Sequence, residues 1–241
     1  VLGNGSNVLV SDSGLRRPVI HIGKTTSEIG IFEDCIRVSA GATLSSAARA
    51  AMQNSLAGME FASGIPGTVG GALIMNAGAY GGEMKQITEA VSYIDPSGEE
   101  YIASNDEMEF SYRRSALSDT DCIITGAVLK LSRGEKDEIN EKMQELARLR
   151  REKQPLEFPS AGSTFKRPEG YFAGTLIEQT GLKGYTIGGA QVSEKHAGFI
   201  INRGGASTDD ILALINYVRG AVFEKHGVEL EPEVKYWSDD E

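Results

Sequence analysis

Gly64-Ile65-Pro66-Gly67-Thr68-Val69-Gly70-Gly71-Ala72, running on to Asn76-Ala77-Gly78-Ala79-Tyr80-Gly81-Gly82-Glu83, is the most constrained stretch of the chain. Seven glycines fall between positions 64 and 82, broken by one proline and a few small side chains. Glycine costs backbone entropy and brings no packing surface, so neither a core strand nor a helix is expected here. The run suits backbone that passes close to a ligand and offers it successive N–H groups, as a phosphate-binding nest does. A glycine-rich surface loop is the plain alternative.

A second, shorter glycine turn lies upstream. Gly3-Asn4-Gly5-Ser6-Asn7 sits between Val1-Leu2 and the apolar Val8-Leu9-Val10, a phosphate loop in miniature. It lacks the third glycine of the dinucleotide fingerprint, since Val8 stands there, and no Gly-Lys-Ser/Thr follows as in a Walker loop. A hairpin turn explains it equally well; two such turns in one chain point more firmly to a ligand.

The 241 residues suffice for one large domain or two modest ones, and 40% hydrophobic with 24% charged residues is ordinary globular composition. The formal charge of −10 makes nucleic acid an unsuitable partner. No apolar run approaches the ~18 residues of a membrane span. The opening Val1-Leu2-Gly3, without Met or a basic segment, reads as the interior of a protein, so a fragment is expected. Cys35 and Cys122 sit in apolar contexts that fit a reducing, cytoplasmic compartment. The histidines (His21, His196, His226) share no metal-ligand spacing, and no metal is expected.

Local signals place the elements. Short strands are expected at 19–22, 35–39 and 230–234, and a long one at 122–131. A small-residue helix should cover 44–54, and a hairpin should turn at Pro96-Ser97-Gly98. Ile139, Met143, Leu146 and Leu149 mark an amphipathic helix over 137–153, stopped at Pro155, with Glu138 poised to pair with Lys142. A short helix at 173–180 should close at Gly181. Another should start at Ser207, with Asp210 in the capping-box position, and stop at Gly227.

Four features could carry chemistry. Ser163 follows a glycine and precedes Lys166 and Arg167; without a Gly-x-Ser-x-Gly elbow or an acid–histidine pair it is no hydrolase nucleophile. It could instead hand a proton to a developing carbanion, or simply cap a turn. Arg113 could clamp a carboxylate with its planar fork, or pack on Tyr112. Glu233 lies among apolar residues, where an acid must be paired or exposed. Lys153 would suit a phosphate or, by its dipole, a helix C-terminus.

Five motifs in this order, the two glycine runs, Tyr112-Arg113-x-Ser115, Ala161-Gly162-Ser163-x-Phe165 and Glu231-Pro232-Glu233-Val234, resemble the UDP-N-acetylenolpyruvoylglucosamine reductase (MurB) family over essentially the whole chain. The resemblance implies an FAD enzyme that reduces UDP-N-acetylglucosamine enolpyruvate to UDP-N-acetylmuramate with NADPH, in peptidoglycan precursor synthesis. NADPH and the UDP-sugar would share one pocket. Gly3 to Asn7, Gly64 to Gly71, Asn76, Gly78 and Ala79 would hold FAD. Ser163 would be the proton donor, Arg113 and Glu233 would hold and polarise the enolpyruvyl carboxylate, and these three groups would converge over the flavin. Tyr112, Lys153 and Arg167 would bind substrate; Arg167 stands where family members carry an asparagine, and a cation there faces diphosphate. With only fifty residues between Arg113 and Ser163, the chain is similar to the shorter second subtype, which lacks a substrate-covering tyrosine loop.

The implied fold is α+β. An FAD-binding two-lobed domain of the vanillyl-alcohol-oxidase (PCMH-like) kind over 1–136, missing its N-terminal part, precedes a smaller α/β substrate domain over 137–241, whose last strand could return to the first. Rival readings are another FAD oxidoreductase of that fold, such as a sugar or alcohol oxidase, and a non-catalytic nucleotide-binding module.

Overall fold

Residues with alternating burial build the main sheet. Its five antiparallel strands run in the order Ile29–Phe32, Cys35–Ser39, Ile123–Lys130, Thr88–Ile94 and Glu100–Ser104. Ile36 faces Leu129 across one ladder, and Val38 and Val91 both pair with Ala127. All five side chains are buried, each worth about 1.5–3 kcal/mol for a residue of Val or Leu size. The turn at Pro96-Ser97-Gly98 forms as expected, with the Asp95 carboxylate accepting from the N–H groups of Ser97 and Glu99.

The computed structural model describes residues 1–239, and the chain divides into two compact units. One comprises Val1–Gly5 with Val19–Arg150, the other Ser6–Pro18 with Arg151–Glu241. Among the described residues no helix is long and apolar enough to cross a membrane.

In the first unit, helix α1 (Leu44–Gln53) buries Leu44, Ala47, Ala48 and Ala51, and Thr43 caps its start by accepting from the Ser46 N–H. Helix α2 (Val69–Ile74) is a correction to the sequence expectation, since half of the glycine run is helical and buries Val69, Ala72 and Leu73. The reason is a close approach. A Cβ on Gly70 would stand 2.9 Å from that of Ala40, and the Gly70 N–H donates to the Ala40 carbonyl at 2.9 Å. Here glycine serves helix-to-sheet packing. Helix α3 (Lys136–Lys153) belongs to this unit as far as Arg150; it buries Ile139 and Leu146, and Lys142 pairs with Glu145 at 2.9 Å instead of with Glu138.

Residues 19–22 form no strand. Leu2 makes a parallel bridge with His21, and Val19 and Ile20 remain exposed.

In the second unit helix α5 (Thr208–His226) packs against a three-stranded antiparallel sheet of Thr186–Ile187, Ala190–Val192 and Ile200–Asn202, and helix α4 (Ala173–Thr180) packs on α5. Leu214, Ile215, Val218 and Val222 of α5 meet Leu176, Ile177, Val192 and Leu230 in its core. The Ser207–Asp210 capping box forms, and Gly181 and Gly227 end their helices in the left-handed region. The acidic strand expected at 230–234 begins later, at Lys235–Trp237, and pairs in parallel with Val8–Val10.

Candidate functional site

In the first unit the two glycine runs come together. The Asn4 amide donates to the Pro66 carbonyl at 3.2 Å, and the α-carbon of Gly3 lies so close to Thr68 that a Cβ would strike its hydroxyl. Among the described residues, the N–H groups of Gly3, Asn4, Gly5, Gly64, Gly67 and Thr68 donate to no acceptor within the chain. Those of Ile65, Val69, Gly70 and Gly71 are used internally, by Ala62, Ala42, Ala40 and the Thr68 hydroxyl. FAD fits this arrangement. Unclaimed main-chain donors on two loops whose meeting point admits no side chain at Gly3 are what a pyrophosphate needs for close approach.

Sequence reasoning missed a cation beside this cradle. Arg150, on the last turn of α3 in this unit, puts its guanidinium against the α-carbon of Gly64, 2.8 Å from where a Cβ would stand. Burial holds this guanidinium below the usual arginine range, while Tyr80 acts the other way. Nothing local distinguishes Arg150 from Arg148 and Arg151; only the packing does.

Gly78–Ala79 and Gly82–Glu83 form a hairpin whose turn residues, Tyr80 and Gly81, both have positive φ. Arg113 sits nearby in a tight turn closed by reciprocal bonds between Ser111 and Arg114, at 3.0 and 3.2 Å. Its backbone is left-handed at φ +55, its guanidinium lies 5.2 Å from the Tyr112 ring centroid, and it donates to the Gly78 carbonyl at 3.5 Å. Thus Arg113 stacks on Tyr112 and is tied to the hairpin backbone. Asn76 is buried, with its side chain turned to protein partners.

The second unit brings Ser163 and Glu233 onto one short ladder. Phe165 and Pro232 form an antiparallel bridge, flanked by Lys166 N–H to Glu231 O and Glu233 N–H to Thr164 O, both at 2.8 Å. Asn7 ties the same strand down, its amide donating to the Glu233 carbonyl at 3.0 Å while its own carbonyl accepts from Lys235 at 2.9 Å. Thr164 is fully engaged: its N–H donates to Gly198 O at 2.8 Å and its hydroxyl accepts from the Ile200 N–H at 3.0 Å. Ser163, between this anchor and Gly162 at φ +84, has a half-buried hydroxyl that bonds to no group among the described residues. It therefore caps nothing. A hydroxyl held at a rigid position with both its roles open can donate a proton to a ligand.

Of the remaining residues, Arg167 lies across the exposed Phe172 ring at 3.9 Å and donates to the Tyr171 carbonyl at 3.3 Å. Lys166 pairs with Glu231. Lys153 ends α3 in the open.

Comparison with known proteins agrees with this picture. Residues 154–237 match the family described as UDP-N-acetylenolpyruvoylglucosamine reductase, C-terminal domain, and residues 1–104 match the family described as FAD binding domain. The UDP-N-acetylenolpyruvoylglucosamine reductase of Caldanaerobacter subterraneus is 54% identical over 98% of this chain and 78% of its own length. That of Clostridioides difficile is 52% identical over 100% and 79%. The crystal structure of the Thermus caldophilus reductase (MurB) superposes with a TM-score of 0.86 at 38% identity, over 98% of this chain and 84% of that one. The chain belongs to the UDP-N-acetylenolpyruvoylglucosamine reductase (MurB) family.

Proposed function

We infer that this protein reduces the enolpyruvyl group of UDP-N-acetylglucosamine enolpyruvate to UDP-N-acetylmuramate in the cytoplasm, using NADPH. FAD bound at the glycine loops supplies the two-electron relay between NADPH and the substrate double bond. The chain's own groups do the rest. The main-chain donors of Gly3–Gly5, Gly67 and Thr68 take the pyrophosphate. The Arg113 fork pairs with the substrate carboxylate and stabilises the enolate-like charge that gathers beside it. The Ser163 hydroxyl gives its proton to the carbon next to that carboxylate, and Glu233 orients the group. Lys153 and Arg167 supply positive charge to the diphosphate, with NADPH and the UDP-sugar taking turns in one pocket.

The observation that carries this reading is Ser163: an unclaimed hydroxyl beside Thr164, whose carbonyl receives the Glu233 N–H at 2.8 Å. The test is optical. Purified protein carrying FAD should be yellow, bleach with NADPH without oxygen, and recover its colour on adding UDP-N-acetylglucosamine enolpyruvate. Bleaching by a simple sugar or alcohol as electron donor in place of NADPH would favour an oxidase, and protein that binds no flavin would favour a nucleotide-binding module.

A further inference from the structure

Asn76 is 1% exposed and left-handed at φ +42, a conformation that asparagine reaches more readily than most residues because its short polar side chain bonds locally. Both N–H groups of its amide are engaged, one by the Ser111 carbonyl at 3.0 Å and one by Glu83 Oε2 at 3.2 Å. Its Oδ1 accepts from the Lys85 N–H at 2.9 Å. Lys85 Nζ in turn donates to the carbonyl of Phe110, at 3.3 Å. Two successive carbonyls, of Phe110 and Ser111, are therefore held by a cluster centred on the buried Asn76, where the Arg113 turn begins. The far side of that turn is anchored too, because the hydroxyls of Ser115 and Ser118 both donate to the Ile74 carbonyl, at 2.8 and 2.7 Å. Ile74 and Asn76 are near neighbours in sequence, so one short segment grips both ends of the turn.

A left-handed non-glycine residue such as Arg113 costs about 1–2 kcal/mol and must be held by its surroundings. We propose that Asn76 is a positioning residue for Arg113: its amide fixes the Ser111–Arg114 turn and so aims the guanidinium at the substrate carboxylate. This rests on the carboxylate-binding role of Arg113 given above. Glu83 and Lys85 complete the cluster, and the Asn76 amide, shared between Glu83 Oε2 and the Ser111 carbonyl, links the Gly78–Glu83 hairpin to the turn.

The test is a double-mutant cycle on the FAD-loaded enzyme with Asn76→Gly, which keeps the left-handed backbone and removes the amide, Arg113→Ala, and the pair. Asn76→Asp, which keeps an acceptor for Lys85 and loses the donor to Ser111, repeats the cycle should the glycine variant misfold. FAD occupancy, flavin bleaching by NADPH, and recovery on substrate are followed separately. Asn76→Gly should slow recovery about 100-fold, the scale of a 1 Å misplacement, and slow it far more than bleaching, with each rate referred to the FAD-loaded fraction. The double variant should recover no more slowly than Arg113→Ala alone. Additive losses, or equal losses in bleaching and recovery, overturn the positioning role. Unchanged recovery in Arg113→Ala overturns the reading of Arg113 itself, and the proposal with it.

Discussion

The N–H of Glu233 donates to the carbonyl of Thr164 at 2.8 Å, joining residues 69 positions apart in sequence. This bond locks the strand carrying the acid to the segment carrying Ser163. Thr164 is the hub, since its N–H, carbonyl and hydroxyl each have a separate partner in Gly198, Glu233 and Ile200.

Thr164→Val keeps the volume and removes the hydroxyl, which leaves the Ile200 N–H buried without its acceptor. A stranded buried donor costs about 1–3 kcal/mol. In a protein of this size each kcal/mol lowers Tm by about 2–4 °C. Calorimetry should show that drop, and flavin recovery on substrate should slow more than bleaching by NADPH. An unchanged Tm would mean that Thr164 is not the anchor.

Gly3→Ala would push a methyl group into the Thr68 hydroxyl, at the point where the two glycine loops meet. The Thr68 side chain must then give way, at the expense of its cap on the Gly71 N–H, and overpacking of this kind costs about 1–3 kcal/mol. FAD affinity, followed by flavin fluorescence, should fall about tenfold or more for the first 1.4 kcal/mol lost. Gly14→Ala is the control, because nothing lies within 4 Å of its added methyl, although its φ of +74 carries its own strain. Equal FAD affinity in the two variants would contradict the cradle.

His196 Nδ1 accepts from the Gly198 N–H at 3.1 Å, and its ring meets Phe199 edge-on. Burial holds the imidazole below its ordinary 6.5; Lys183 lowers it further, while its own backbone bond and Glu178 oppose. The unfolded chain therefore binds more protons between the folded value and 6.5, so stability rises with pH across that window. His196 contributes fully above 6.5 and loses that contribution as pH falls through the folded value. Urea midpoints should fall as pH drops through this window, and His196→Asn, which retains an acceptor for Gly198, should flatten the fall. A steeper fall in the variant would contradict the assignment.

Local chemistry was legible in the sequence and long-range pairing was not. Ser207, Asp210 and Gly227 announced α5 because caps act within a few residues, and Pro96-Ser97-Gly98 announced a hairpin for the same reason. The helical half of the glycine run was hidden, because the need for glycine at position 70 comes from Ala40, thirty residues away. Residues 230–234 looked like a strand by composition, yet the regular pairing begins at Lys235 with Val8–Val10, a partner no local pattern could name. The site divides in the same way. The glycine loops, Arg113, Ser163 and Glu233 were singled out by type and order, whereas Arg150 against Gly64, Thr164 as anchor and the inward-facing amide of Asn76 are properties of packing.

The central claim is that Ser163 delivers a proton to the reduced substrate, and stopped-flow absorbance on Ser163→Ala tests it most directly. Flavin bleaching by NADPH should stay within about twofold of the parent, while recovery on UDP-N-acetylglucosamine enolpyruvate should slow about 100- to 10,000-fold, the span of general acid catalysis. Recovery at the parent rate, or an equal loss in both half-reactions, would contradict it.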